Sequence, residues 1–136
     1  MDNNKKARNF RNYKVWQDAV DYATKVYKVT GAMPWFEKKG LCDQLQRAVV
    51  SISSNIAEGA ARPTDADFAH FLDTALGSCY EVETQLIITK NVGYFNDNDN
   101  DNHNDNDNHN RFEDLMNEVQ SIERQITGLI NSIRKA

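Results

Sequence analysis

Glu58, Glu81 and Glu83 are the residues best suited to acid–base chemistry, because paired carboxyl groups can divide the roles of proton donor and acceptor. Chemistry of that kind also needs a nucleophile, a metal set or a phosphate loop, and the sequence offers none beside them. Catalytic residues and cofactors are therefore not expected, nor is an enzyme. Cys42 and Cys79 lack metal-ligand spacing, and Cys79 falls among apolar residues at helical spacing, where packing suits it better than nucleophilic attack. Both cysteines read as free thiols of a reduced, cytoplasmic protein. His70 stands alone and reads as a surface residue. His103 and His109 share a tract with five aspartates. Ligands without a fixed scaffold have no preset geometry, so no metal is expected there either.

More distinctive is a pair of polar stripes. In LCDQLQRAVVSISSNIAEGAAR (41–62), the apolar residues Leu41, Leu45, Ala48, Val49, Ile52 and Ile56 mark one helical face. Arg47, Ser51, Ser54, Asn55, Glu58 and Arg62 gather on the other. Ser and Asn are weak helix formers, so contacts beyond the helix must support this face. The next helical stretch repeats the pattern with His70, Thr74, Ser78, Glu81 and Gln85 at matching increments. If the two helices run antiparallel, both stripes turn toward one groove or both turn away. Arg47 then comes level with Glu81 or Gln85, which predicts a partly buried Arg47–Glu81 ion pair, within a subunit or across the interface. The stripes suit three roles: solvated faces, a subunit interface, or an RNA or DNA surface. Glu58 and Glu81 would repel phosphate, so the interface is favoured.

Net charge is −4, but it divides unevenly. Residues 1–62 carry eleven Lys/Arg against six Asp/Glu, and residues 63–136 carry five against fourteen. Lys5, Lys6, Arg8, Arg11 and Lys14 form a basic cluster, and Lys38 and Lys39 sit near a helix start. These seven are the candidate nucleic-acid-binding residues, with the acidic tract expected to confine binding to the end away from itself.

Four helices must position these groups in one domain. Residues 1–12 read as a flexible basic arm, and residues 13–135 as a single bundle of 136-residue scale with few breakers: two prolines and six glycines. The spacing predicts helices over about 13–30, from 38–42 to 59–62, from the cap at Thr64 to near Gly93, and over about 111–134, with Gly31 as a stop. Gly77 falls mid-helix, which close approach of a neighbouring backbone would explain. The alternating Asn/Asp/His tract at 96–110 has nothing to bury and reads as a disordered, dispensable insert. No signal peptide or membrane span is apparent. The architecture expected is all-α, an antiparallel up-down four-helix bundle.

Three segments carry a resemblance: VWQDAVDYATKVY, LCDQLQRAVVSISSNIAEGAAR and FAHFLDTALGSCYEVETQL. Their motifs are Q-x-x-R-A at 44–48, S-N-I-A-E-G at 54–59 and A-L-G-S-x-x-E at 75–81. Over about residues 10–95 the chain resembles the small proteins encoded in intervening sequences of bacterial large-subunit ribosomal RNA genes. The tract at 96–110 departs from that family, whose corresponding turn is short. The resemblance implies a left-handed bundle assembled as a ring-like homopentamer, with nucleic-acid binding the usual suggestion and no catalytic residues. A related group, the accessory proteins of diversity-generating retroelements, has a similar bundle and binds reverse transcriptase and nucleic acid. That gives the alternative, a protein-binding scaffold. The motif positions here are Arg47, Ser54, Asn55, Glu58, Gly59, Arg62, Gly77, Ser78 and Glu81; with Gln85 they form the candidate interface.

Overall fold

The computed structural model describes residues 8–95 and 105–135, and over these the protein has four helices and no strand. They are α1 (Lys14–Thr30), α2 (Leu41–Ala60), α3 (Asp65–Asn91) and α4 (Asp105–Lys135). Single 3-10 turns, Phe10–Asn12 and Trp35–Glu37, precede α1 and α2. Helix α3 begins where its sequence signals say. Thr64 is extended, its hydroxyl accepts the Asp67 amide at 3.1 Å, and Asp65 and Asp67 occupy the first turn. Helix α1 ends at Gly31 in right-handed geometry (φ −63°), so that glycine's conformational freedom is not used. Gly93, at φ 95°, does use it, turning the chain after α3.

The core is the sum of the apolar stripes. Tyr22 and Val26 from α1, Leu45, Ile52 and Ile56 from α2, Leu72 and Leu86 from α3, and Ile122 and Ile126 from α4 are all buried. Each large side chain contributes about 1.5–3 kcal/mol by leaving water. Buried in the same core, the Tyr22 hydroxyl donates to the Leu115 carbonyl at 2.9 Å, tying α1 to α4.

Helices α2 and α3 approach closely at Gly59. A Cβ there would lie 2.7 Å from Phe71 Cβ and 2.9 Å from Phe68 Cδ1. Gly77, where close approach was expected, has nothing within 4 Å of an added Cβ and is exposed. The steric demand therefore belongs to the other glycine. A second difference concerns α4, which starts at Asp105 rather than Arg111. Extending an existing helix adds a hydrogen bond for each residue fixed, so α4 propagates back into the Asn/Asp/His tract. Replacing the whole tract with a short turn would thus cut into a helix. Residues 96–104 lie outside the described residues, as do Lys5 and Lys6. Among the described residues, no helix is long and apolar enough to cross a membrane.

Candidate subunit and nucleic-acid interfaces

The two polar stripes face one groove. Ser51 Oγ and Ser78 Oγ share a hydrogen bond at 2.8 Å, and Asn55 Nδ2 donates to Ser51 Oγ at 2.9 Å and to its carbonyl at 2.8 Å. Ser51 thus bonds across to α3, while Asn55 bonds back along α2 to hold the Ser51 hydroxyl in place. Further along, Gln44, Arg47, Ala48, Ser51, Glu81 and Gln85 line a cavity of about 320 Å³. Gln85 is only 7% exposed, and its Oε1 has no hydrogen-bond donor. An orphaned buried acceptor costs about 1–3 kcal/mol, so this groove is incomplete as it stands.

Arg47 and Glu81 share that groove without pairing. Arg47 Nε instead meets Asp43 Oδ2 at 3.0 Å, one turn back along α2, with the Arg47 side chain 78% exposed. The i,i+4 partner lies within reach on the same helix and competes successfully. Ser54, Glu58 and Glu81 are exposed; Arg62 lies over the Phe71 ring at 5.1 Å. Gly59 is buried inside the subunit, so its role is internal packing rather than surface contact. His70 is exposed and sits edge-on to Phe71 at 6.2 Å. Burial pushes the Cys79 thiol up, away from reactivity.

The basic residues divide between the two ends of the bundle. Arg8, at the α2–α3 turn, is not part of a free arm: its guanidinium donates to the Arg62 carbonyl at 2.7 Å, pairs with Asp65 and stacks over Phe68 at 4.8 Å. Its side chain is 15% exposed. Arg11 lies over Phe10, and Lys14 pairs with Asp18 at 2.6 Å. Residues 8–12 are therefore not part of a flexible arm, because Phe10 packs edge-on against Trp16 at 5.0 Å and anchors the chain. Arg8→Ala should cost about 1–2 kcal/mol, a charge-assisted hydrogen-bond loss. Arg11→Gln should stay within about 0.5 kcal/mol, typical of an exposed site. Urea midpoints of the two variants check the contrast.

Lys38 and Lys39 are exposed at the opposite end, across the 20 residues of α2 or about 30 Å. Phe95, where the acidic tract starts, is at this same end, since the neighbouring Tyr94 hydroxyl donates to Glu37 at 2.8 Å. Phe95, the residue before the tract, and these lysines thus share one end, rather than lying at opposite ends as the charge division suggested.

Three features were not read from the sequence. Trp35 and Phe36 are 85% and 61% exposed. Their place in a Pro-containing connection, outside every helical stripe, was the available signal. Helix α3 is apolar on its outer side as well, through Tyr80, Ile87, Ile88 and Val92. Finally, Glu123 of α4 faces Glu83 of α3, with its Oε2 enclosed and lacking a donor. Burial and the neighbouring carboxyl raise Glu123 to about 8. Glu123 lies four residues after Val119 and three before Ile126, a spacing that points it inward. Among the described residues, no group of three or more metal-ligating side chains gathers.

Comparison with known proteins fits this geometry. A crystal structure of a protein of unknown function from the S23 ribosomal protein family of Bacteroides thetaiotaomicron is 20% identical, with a TM-score of 0.72. The match covers 86% of this chain and 95% of that one, so the two share a fold. No curated protein matches the chain. The family described as 23S rRNA-intervening sequence protein matches residues 11–128, from the turn before α1 to the last part of α4. The Ser51–Ser78 contact, the buried glycine and most of the four-helix core fall within that match, and the chain belongs to the 23S rRNA-intervening sequence protein family.

Proposed function

We propose that this protein is a non-enzymatic, cytoplasmic homo-oligomer of left-handed, antiparallel up-down bundles, with a ring of five copies favoured, and that it associates with RNA. The observation that carries the assembly is the outer surface of α3. Gly77 is open there, Tyr80, Ile87, Ile88 and Val92 are exposed, and the adjoining groove holds an acceptor without a donor at Gln85. A second copy seated on this surface would cover the apolar side chains. The contacts Ser51–Ser78, Asp18–Gln125 and Arg134–Asp73 support the antiparallel arrangement. Family membership supports the RNA association, and the exposed Lys38 and Lys39 give it a physical means. Two free thiols suit a reducing compartment.

Light scattering at micromolar concentration should give a mass several times 15.6 kDa, and a monomer would refute the assembly. Gly77→Leu should leave helicity intact, because nothing inside the subunit meets it, while lowering that mass. Structured RNA should bind with affinity that falls steeply as salt rises. If RNA does not bind near physiological salt, the surface serves a protein partner, such as a reverse transcriptase, and the scaffold reading takes over.

A further inference from the structure

We infer that the Trp35–Glu37 turn, with Lys38 and Lys39, is a stacking platform for unpaired bases of single-stranded RNA; this rests on the RNA association proposed above. The turn is held from inside. Glu37 uses one carboxylate oxygen to accept the Tyr94 hydroxyl at 2.8 Å and the other to accept the Leu41 amide at 3.3 Å. The Glu37 amide donates to Pro34 and the Lys38 amide to Trp35, at 2.9 and 3.1 Å. Both rings project outward from this anchored turn. They stand edge-to-face, 6.1 Å apart at 80°, in a fixed arrangement with exposed ring surface.

Charge selects the occupant. Lys38 and Lys39 follow the rings directly, are exposed, and belong to no ion pair among the described residues. The one acid within the turn, Glu37, is engaged with Tyr94 and Leu41. The aspartates that follow Phe95 in the chain oppose phosphate at this end, so stacking on the two rings has to carry the binding, with the lysines meeting the phosphates nearest them. A membrane surface fits less well. Interfacial binding scales with buried apolar area, and the turn itself offers only two rings on three residues.

The test titrates the full chain with a labelled oligouridylate 12-mer, a fully paired RNA duplex and phosphatidylserine vesicles. Wild type should bind the 12-mer with quenching of tryptophan emission. Trp35→Ala with Phe36→Ala should weaken 12-mer binding tenfold or more while changing duplex binding less than about twofold, as expected for base stacking. Lys38→Gln with Lys39→Gln should reduce the salt slope on the 12-mer by about 1.4, two phosphates' worth for a single strand. Circular dichroism should be unchanged, and Trp35→Phe should retain most of the affinity, which separates stacking from a folding defect. Equal 12-mer binding by wild type and the double alanine variant overturns the platform. Vesicle binding without 12-mer binding overturns it in favour of a membrane. If the duplex binds and the 12-mer does not, the platform falls while the RNA association stands; if neither binds, both fall.

Discussion

Gly59→Val should destabilise the bundle by about 3 kcal/mol, and Gly59→Ala by about 1–2 kcal/mol, the range for overpacking a tight contact offset by better helix propensity. The alanine methyl would sit 2.7 Å from Phe71 Cβ and 3.3 Å from the Phe68 carbonyl. Neither atom is the far end of a flexible side chain, so α2 and α3 must move apart. That separation would also stretch the Ser51–Ser78 hydrogen bond two turns away. Gly128→Ala is the control. Gly128 lies within α4, exposed, with nothing within 4 Å of an added Cβ, and alanine there should add about 1 kcal/mol from propensity alone. Urea midpoints at one protein concentration compare the three variants with wild type. Stabilisation by Gly59→Ala equal to that by Gly128→Ala would show that the helices are not in tight contact.

Glu123→Gln should make the protein more stable at pH 8.5 and leave it nearly unchanged at pH 5. Glu123 is raised from 4.5 to about 8, first by burial and then by Glu83. A proton is therefore held more tightly in the folded state. Its stabilising contribution is complete below about pH 4.5 and is lost as pH rises through about 8. Protonated Glu123 can donate to Glu83, giving the enclosed carboxyl group the partner it lacks when ionised. The surrounding charges are mixed: Arg124 on α4 favours ionisation, while Cys79 on α3 and Tyr22 on α1 are held neutral by burial. With allowance for solvent screening at a half-exposed group, the gain at pH 8.5 should be about 1–2 kcal/mol. Work above pH 5 avoids a second titration, at Asp18, which Lys14 holds below the ordinary carboxylate range despite partial burial. Parallel stability curves for wild type and Glu123→Gln from pH 5 to 8.5 would show that no proton is shared.

The sequence made the helices legible because their signals are local. Apolar spacing places Leu45, Val49, Ile52 and Ile56 on one face, and all four are buried. Thr64 caps α3 by its own hydroxyl. Matching increments in two helices also brought Ser51 and Ser78 into one groove. What stayed hidden depends on distances between elements. Which glycine meets a neighbour is set by helix separation, so Gly59 and Gly77 look alike in sequence and differ in space. Arg8 looks like one more cation in a basic run until the α2–α3 turn folds back to meet it. Arg47 had two acids within plausible reach, and the nearer one on its own helix took it.

The Gly59 contact also sets an order of events. Helices α2 and α3 are joined by only the residues from Ala61 to Thr64, so their closest packing closes a short stretch of chain. The α1–α4 seam, by contrast, joins Tyr22 to Leu115 and Asp18 to Gln125, sequence separations of 93 and 107. Closing the longer loops costs more chain entropy, so the α2–α3 hairpin forms ahead of that seam during folding. Under native conditions the hierarchy runs in reverse. Amide hydrogens in the middle of α2 and α3 should exchange with solvent only on global unfolding, and those of α1 and α4 sooner, through opening of the seam, which native-state hydrogen exchange would check.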